Sequence, residues 1–247
     1  MQYIFLPFRV IFKVYYLIVF ALCIMLAYPL VYFLLKDKSR FPKAFKFMRI
    51  QAYLLLGLAG AILRVKGKEN IPKTGAYIIA PNHSSYLDIF CLYVIFRRYF
   101  VFIGKKEIEK WPLFHLYYTS GMNILVDRSA NTSALGAMKR MSHEVEMGHP
   151  LVIFPEGTIS KEAPNLAPFK AGAFAIAIQK QVPVLPVTFV TNWKLLSRSG
   201  FWKGPAGPGI AEVVIHEPIE TLGMKKTDMD ELQEKVRKAI HSSIRQR

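Results

Sequence analysis

The sequence predicts an α/β protein, a mixed and largely parallel sheet covered by helices, with an N-terminal apolar helical hairpin ahead of it. Three observations lead there. From Arg64 onward, short apolar runs alternate with segments of helical period, the pattern of βα units. Before Arg64 that pattern is replaced by two apolar runs separated by basic residues. The chain has 247 residues, 52% of them hydrophobic, which is enough for one sizeable core beneath such a sheet. The expected division is a membrane-binding helical hairpin over 1–63 and an α/β domain over 64–247.

The hairpin comes first. Val14 to Leu35 is a run without a charge. As a helix it reaches about 33 Å, against about 30 Å of bilayer hydrocarbon. It is too long for a signal peptide, and no small-residue cleavage site follows. The second run, Ile50 to Leu63, reaches only about 21 Å and is too short to cross comfortably. Residues 1–68 hold eleven Lys or Arg and one acid, Asp37, out of a formal net charge of +16 for the whole chain. Bases flank both runs on every side, so they set no inside–outside orientation. The expectation is a hairpin kinked near Pro29 that dips into one leaflet, with a true span by the first run as the alternative. A basic, apolar segment suits an anionic membrane surface. No helix-turn-helix, RNA-recognition or metal-knuckle signature appears, so nucleic acid is not expected as a partner. Cys23 and Cys91 both sit in apolar runs, imply no disulfide framework and fit a reducing compartment.

Strands are expected at Ala76–Ala80, Tyr99–Ile103, Asn123–Val126, Leu151–Phe154, Val184–Val190 and Ile210–His216. Helices are expected between them. One follows Pro81–Asp88 over Ile89–Phe96. One is capped by Thr132 or Ser133 and aligns Leu135, Met138, Met141 and Val145. Another covers Phe169–Lys180, and the last starts near Asp228 with Leu232, Val236, Ile240 and Ile244 on one face. Residues 197–209, rich in Gly and Pro, read as a surface loop.

Several chemistries can be set aside. There is no Gly-x-Ser-x-Gly elbow and no Gly-x4-Gly-Lys phosphate loop. His143 and His149 lie six apart, the wrong spacing for a zinc-binding helix face, so no metal is expected. "PNHSSYLD", residues 81–88, is more informative. His83 and Asp88 are five apart and would diverge by about 140° in one helix. They meet only if His83 sits in the loop after a strand and Asp88 in the first turn of the next helix. Ser85 and Asp88 also read as a capping box, a purely structural role. "LVIFPEGT", residues 151–158, is a second buried strand that ends in a polar turn. Ligands gather at the carboxyl ends of strands in open α/β sheets. His83, Asp88, Glu156, Gly157 and Thr158 therefore plausibly share one crevice.

With these blocks in place, the sequence resembles the glycerolipid acyltransferases of the bacterial lysophosphatidate acyltransferase type. "NHSSYLD" is similar to the family's His-x4-Asp block. "GMNILVDR", residues 121–128, looks like its second block, "FPEGT" like its third, and "VPVLPVTF", residues 182–189, like its fourth. The four stand in order across residues 76–190. The resemblance implies a transferase that moves an acyl chain from acyl-CoA or acyl carrier protein to the 2-hydroxyl of lysophosphatidate, giving phosphatidate for phospholipid biosynthesis. It needs no cofactor beyond the donor. His83 would be the general base and Asp88 would fix its tautomer, with the substrate hydroxyl in the place of a catalytic serine. Lys105, Arg128, Glu156, Gly157 and Thr158 would bind substrate, chiefly the acceptor phosphate, with Glu156 bracing the loop as its alternative role. Trp111–Tyr118 would line an acyl tunnel or the core. The chain departs from the pattern after Thr158, where Ile159 stands in place of the family's arginine and Lys161 is the next base. Acylation of glycerol 3-phosphate or another lysophospholipid, and non-catalytic lipid binding, are the alternatives. The implied location is the cytoplasmic face of the inner membrane, held monotopically among membrane lipids.

Overall fold

The computed structural model describes residues 6–105, 115–126 and 131–245. Two helices open the chain. α1, Leu6–Leu35, continues through Pro29, and α2 is Phe41–Leu58. Between them the Asp37 carboxylate accepts the Ser39 N–H at 2.9 Å, and a proline in the first turn of α2 starts the return. The helices run antiparallel. The Tyr15 hydroxyl donates to the Leu58 carbonyl at 3.2 Å, and Gln51 Nε2 donates to the Cys23 carbonyl at 3.4 Å. Tyr16, Ile24, Ala27, Val31 and Leu34 recur at helical spacing on the buried face of α1. Its other face is just as apolar but exposed: Leu17, Leu22, Met25 and Leu26 all lie open, Leu26 at 82%.

The second apolar run does not form a helical arm over its whole length. α2 begins nine residues before Ile50 and stops at Leu58. Ala59 and Gly60 turn the chain, and β1 (Ala61–Lys66) follows. Gly60 has φ +61°, and a Cβ there would meet Pro208 Cβ at 2.6 Å, so glycine is required. The sheet thus begins inside the segment assigned to the hairpin. An unbroken apolar run carries no period that separates helix from strand. Pairing decides it: β1 lies parallel to β7 (Gly209–Ile215), with Ala61 opposite Gly209.

The other strands are β2 (Ile78–Pro81), β3 (Val101–Lys105), β4 (Ile124–Val126), β5 (Leu151–Val152) and β6 (Val184–Phe189). Each falls within or beside an expected strand. They form one seven-stranded sheet in the order β1-β7-β6-β2-β5-β3-β4. Only the β6–β7 pair is antiparallel. The mixed, largely parallel α/β sheet is therefore as expected. Between the strands lie α3 (Asp88–Ile95), α4 (His115–Thr119), α5 (Asn131–Glu146), α6 (Gly172–Lys180) and α7 (Asn192–Leu195), and α8 (Met229–Arg245) follows β7.

Alternation along the central strands builds two cores. Ile79, Val152 and Leu185 face α1, α2 and α3, where they meet Phe45, Leu56 and Leu92. Ile78, Leu151 and Val184 face the opposite side, against Phe174 of α6 and Leu232, Val236 and Ile240 of α8. Each such side chain contributes about 1.5–3 kcal/mol by leaving water. The hairpin helices share the first core, so they pack as part of the α/β body. The five strands β6, β2, β5, β3 and β4 all point the same way, with β2 inside the sheet. Their carboxyl ends collect on one edge of the molecule.

Candidate active site

β2 ends at Pro81, and the chain turns into the loop that carries His83. Asn82 anchors that turn: its side chain accepts the Phe189 N–H at 2.7 Å and donates to the Phe189 carbonyl at 3.2 Å. His83 is left at the strand end and Asp88 opens α3, the placement their spacing requires. His83 Nδ1 lies 3.0 Å from Asp88 Oδ2. The same oxygen accepts the backbone N–H of Ser84 at 2.7 Å and of Ser85 at 2.8 Å. Oδ1 accepts Asn192 Nδ2 at 2.8 Å. Asp88 is fully buried, and these four donors offset the cost of holding a carboxylate there. With Asp88 as acceptor, Nδ1 carries the proton and Nε2 keeps its lone pair. Nε2 makes no hydrogen bond within the described residues. The imidazole stacks on Phe154, ring centroids 3.9 Å apart and 21° from parallel.

Glu156 lies beneath this loop. Its two carboxylate oxygens accept the His83 N–H at 2.7 Å and the Ala167 N–H at 2.8 Å. The Ser160 N–H donates to the His83 carbonyl at 2.8 Å. The loop carrying the histidine is therefore clamped from both sides by the 156–160 turn. Burial pushes the Glu156 carboxyl up to about 7; the two N–H donors pull the other way, and the Asp88 charge adds to the rise. Glu156 is only 3% exposed, so its geometry is that of a brace.

Gly157 has φ +69°, which the tight turn demands, and its N–H is already bonded to the Phe154 carbonyl at 2.9 Å. The expected backbone donor at Gly157 is thus taken by the turn itself. Thr158 keeps its hydroxyl at the surface of the turn, where Arg198 Nη1 donates to Oγ1. Ile159 is buried and turned inward. Lys105 closes β3, at the same edge as His83. Arg128 follows β4 and lies outside the described residues, as do Trp111–Phe114 of the expected tunnel segment.

An apolar cavity of about 420 Å³ adjoins the pair. Its wall includes Tyr86, Ile89 and Phe90, which flank Asp88, together with Tyr16 of α1, Tyr117 of α4 and Phe201. Among the described residues no group of three or more metal-ligating side chains converges. Asn192, Phe154 and Arg198 escaped the sequence reading. A signal existed for Asn192, which follows the buried run of β6, a third strand ending in a polar residue.

The arrangement is a histidine with one nitrogen oriented by a buried carboxylate, the other open, and an apolar cavity alongside. Comparison with known proteins agrees with it. The Acyltransferase family profile matches residues 62–190. A 1-acyl-sn-glycerol-3-phosphate acyltransferase of Saccharomyces cerevisiae (strain ATCC 204508 / S288c) is 32% identical over 195 residues, 78% of this chain and 62% of that protein. One from Helicobacter pylori (strain J99 / ATCC 700824) is 35% identical over 125 residues, 50% of this chain and 52% of that protein. A chloroplastic one from Brassica napus is 33% identical over 156 residues, 63% of this chain and 44% of that protein. This chain thus spans about half the length of these curated relatives. The crystal structure of the 1-acyl-sn-glycerophosphate (LPA) acyltransferase PlsC from Thermotoga maritima shares the fold, with a TM-score of 0.80 at 24% identity over 100% of this chain and 97% of that one. The matched segment is more than half of the chain and carries His83, Asp88 and Glu156, and the chain belongs to the Acyltransferase family.

Proposed function

We propose that this chain is a 1-acylglycerol-3-phosphate O-acyltransferase, which moves an acyl group from a thioester to the 2-hydroxyl of lysophosphatidate. The observation that carries the reading is the oriented pair: Nδ1 of His83 on Asp88, Nε2 without a hydrogen-bond partner among the described residues, and an apolar cavity walled by the residues that flank Asp88. As the hydroxyl oxygen attacks the thioester carbonyl, its proton passes to Nε2. The new C–O bond forms, the C–S bond breaks, and the proton leaves with the thiolate as a thiol. Asp88 holds the tautomer and stabilises the imidazolium formed in between. Phosphatidate is the product, a step of phospholipid biosynthesis. Acyl-CoA and acyl carrier protein both fit as donors, and Lys105, Arg128 and Thr158 are assigned to substrate binding. The curated relatives bearing that activity's name support the reading.

The membrane placement is part of the same proposal. α1 is the one described helix long and apolar enough to cross a bilayer. It is also held to the α/β body from Lys13 to Leu35, and the face left open is apolar. A perpendicular crossing would drag that body into the hydrocarbon. Lying in one leaflet of the inner membrane, at its cytoplasmic face, the same face meets membrane lipids while the site stays at the headgroups.

Purified protein in lipid vesicles, given each donor with lysophosphatidate, glycerol 3-phosphate or another lysophospholipid, tests the reading by thiol release and product mass. Thiol release that depends on lysophosphatidate and yields phosphatidate is expected. Free fatty acid without any acceptor would mark a hydrolase, and no thiol release at all would leave a lipid-binding protein.

A further inference from the structure

The segment after β6 is tied to the His–Asp loop twice. Asn192 Nδ2 donates to Asp88 Oδ1 at 2.8 Å, and the Ser85 hydroxyl donates to the Leu196 carbonyl at 2.8 Å. Two residues further on, Arg198 folds back over the 156–159 turn. Its Nη1 donates to Thr158 Oγ1 and to the Ile159 carbonyl, the latter at 3.2 Å. Both partners are neutral. No carboxylate pairs with Arg198 among the described residues. Its Nη2 and Nε groups make no bond there either, and the side chain is exposed. Arg198 also forms part of the wall of the 420 Å³ apolar cavity. An unneutralised guanidinium therefore stands between the polar turn that clamps the histidine loop and the apolar cavity.

We propose that Arg198 is the cation that binds the phosphate of the acceptor, with the Thr158 hydroxyl as its second donor. The assignment rests on the acyl-transfer reading. The free edge of the guanidinium offers two parallel N–H groups, the geometry that matches two phosphate oxygens. Thr158 accepts from Arg198, so its own O–H hydrogen remains to be donated to the same anion. Ile159 brings no charge: it is buried and contributes only its carbonyl, which helps hold Arg198 in place. Lys161, the next base, is exposed and makes no bond to the turn in the described residues. The phosphate end of the acceptor would sit on Arg198, its hydroxyl beside His83 Nε2, and its chain in the cavity.

The test is acceptor kinetics on the full chain in vesicles, with Arg198→Ala, Arg198→Lys and Lys161→Ala. Arg198→Ala should raise KM for lysophosphatidate about ten- to a hundredfold, with the donor's KM and kcat little changed. Arg198→Lys, which keeps the charge but loses the fork, should fall between. Preference for lysophosphatidate over the phosphate-free monoacylglycerol should shrink by the same factor in Arg198→Ala. Lys161→Ala should leave every constant unchanged. An unchanged acceptor KM in Arg198→Ala, an effect on the donor alone, or an effect in Lys161→Ala instead would overturn the assignment while the acyl-transfer reading stands. A wild-type protein that makes no phosphatidate would remove the reading and the assignment together.

Discussion

Asp88 accepts hydrogen bonds from four donors, and they divide into two groups. The backbone N–H groups of Ser84 and Ser85 are structural and fasten the loop to the start of α3; the capping box read from the sequence does not form, because α3 opens at Asp88 and no side chain caps it. His83 Nδ1 and Asn192 Nδ2 belong to the site. One carboxylate therefore both fastens its own loop and orients the histidine. His83→Ala should lower turnover at least about a hundredfold while the fold is kept. Asp88→Asn should lower turnover by a similar order and also cost about 1–3 kcal/mol, because an amide NH2 cannot accept from donors it faces. Turnover and thermal melting measured on both variants check this; a stable Asp88→Asn would contradict it. Glu156 adds a pH dependence. Its folded pKa of about 7 lies above the ordinary value of 4.5, so the fold binds this proton more tightly than the unfolded chain does. The resulting stability is fully present below about 4.5 and lost as pH rises through about 7. Glu156→Gln cannot titrate. Its stability relative to wild type should rise by on the order of 3 kcal/mol between those limits and stay level above them. Chemical denaturation of both proteins across that range is the measurement.

At the scale of elements, the loop between α7 and β7 is held by a helix almost two hundred residues away. Lys13 Nζ on α1 donates to the carbonyls of Gly200, Phe201 and Gly204 at 2.9, 2.8 and 2.7 Å. The lysine is 6% exposed, and Gly204 cannot carry a Cβ, which would come 2.8 Å from the Gly200 carbonyl oxygen. Phe201 from this loop lines the apolar cavity. Lys13→Met keeps the apolar stem and removes three charge-assisted bonds. It should destabilise the protein by about 2 kcal/mol and expose residues 197–209 to protease. Melting and limited proteolysis in parallel check it, and unchanged cleavage would show that the loop holds itself.

For the molecule as a whole, the open face of α1 is a long run of exposed apolar side chains. Leu22, Leu26 and Phe33 point away from the body, at 50, 82 and 57% exposure. Each leucine buried in lipid adds about 1.5–3 kcal/mol to attachment. Leu22→Lys with Leu26→Lys should therefore weaken vesicle binding at least about tenfold, as read by flotation, and leave melting in detergent unchanged. A cysteine label near Gln2 should react only from the cytoplasmic side of intact cells. Reaction from outside would show that α1 crosses the bilayer.

Periodicity along the chain was sufficient for most elements, because alternating and helical apolar patterns are local properties. It placed the core strands, the long helices and the loop over 197–209, and it read the loop-then-helix geometry of His83 and Asp88 from their spacing alone. It did not find β1, which is defined by pairing with Gly209–Ile215 rather than by its own pattern. Nor could it show that the N-terminal helices share a core with the sheet, since an apolar run looks the same beside protein or lipid. Asn192 reaches Asp88 across 104 positions, and Arg198 reaches Thr158 across 40. Local order of residues determined the fold class and the pairing of His83 with Asp88. The tertiary structure alone decided which distant side chains orient that pair, because those contacts exist only once the carboxyl ends of β2, β5 and β6 are brought to one edge.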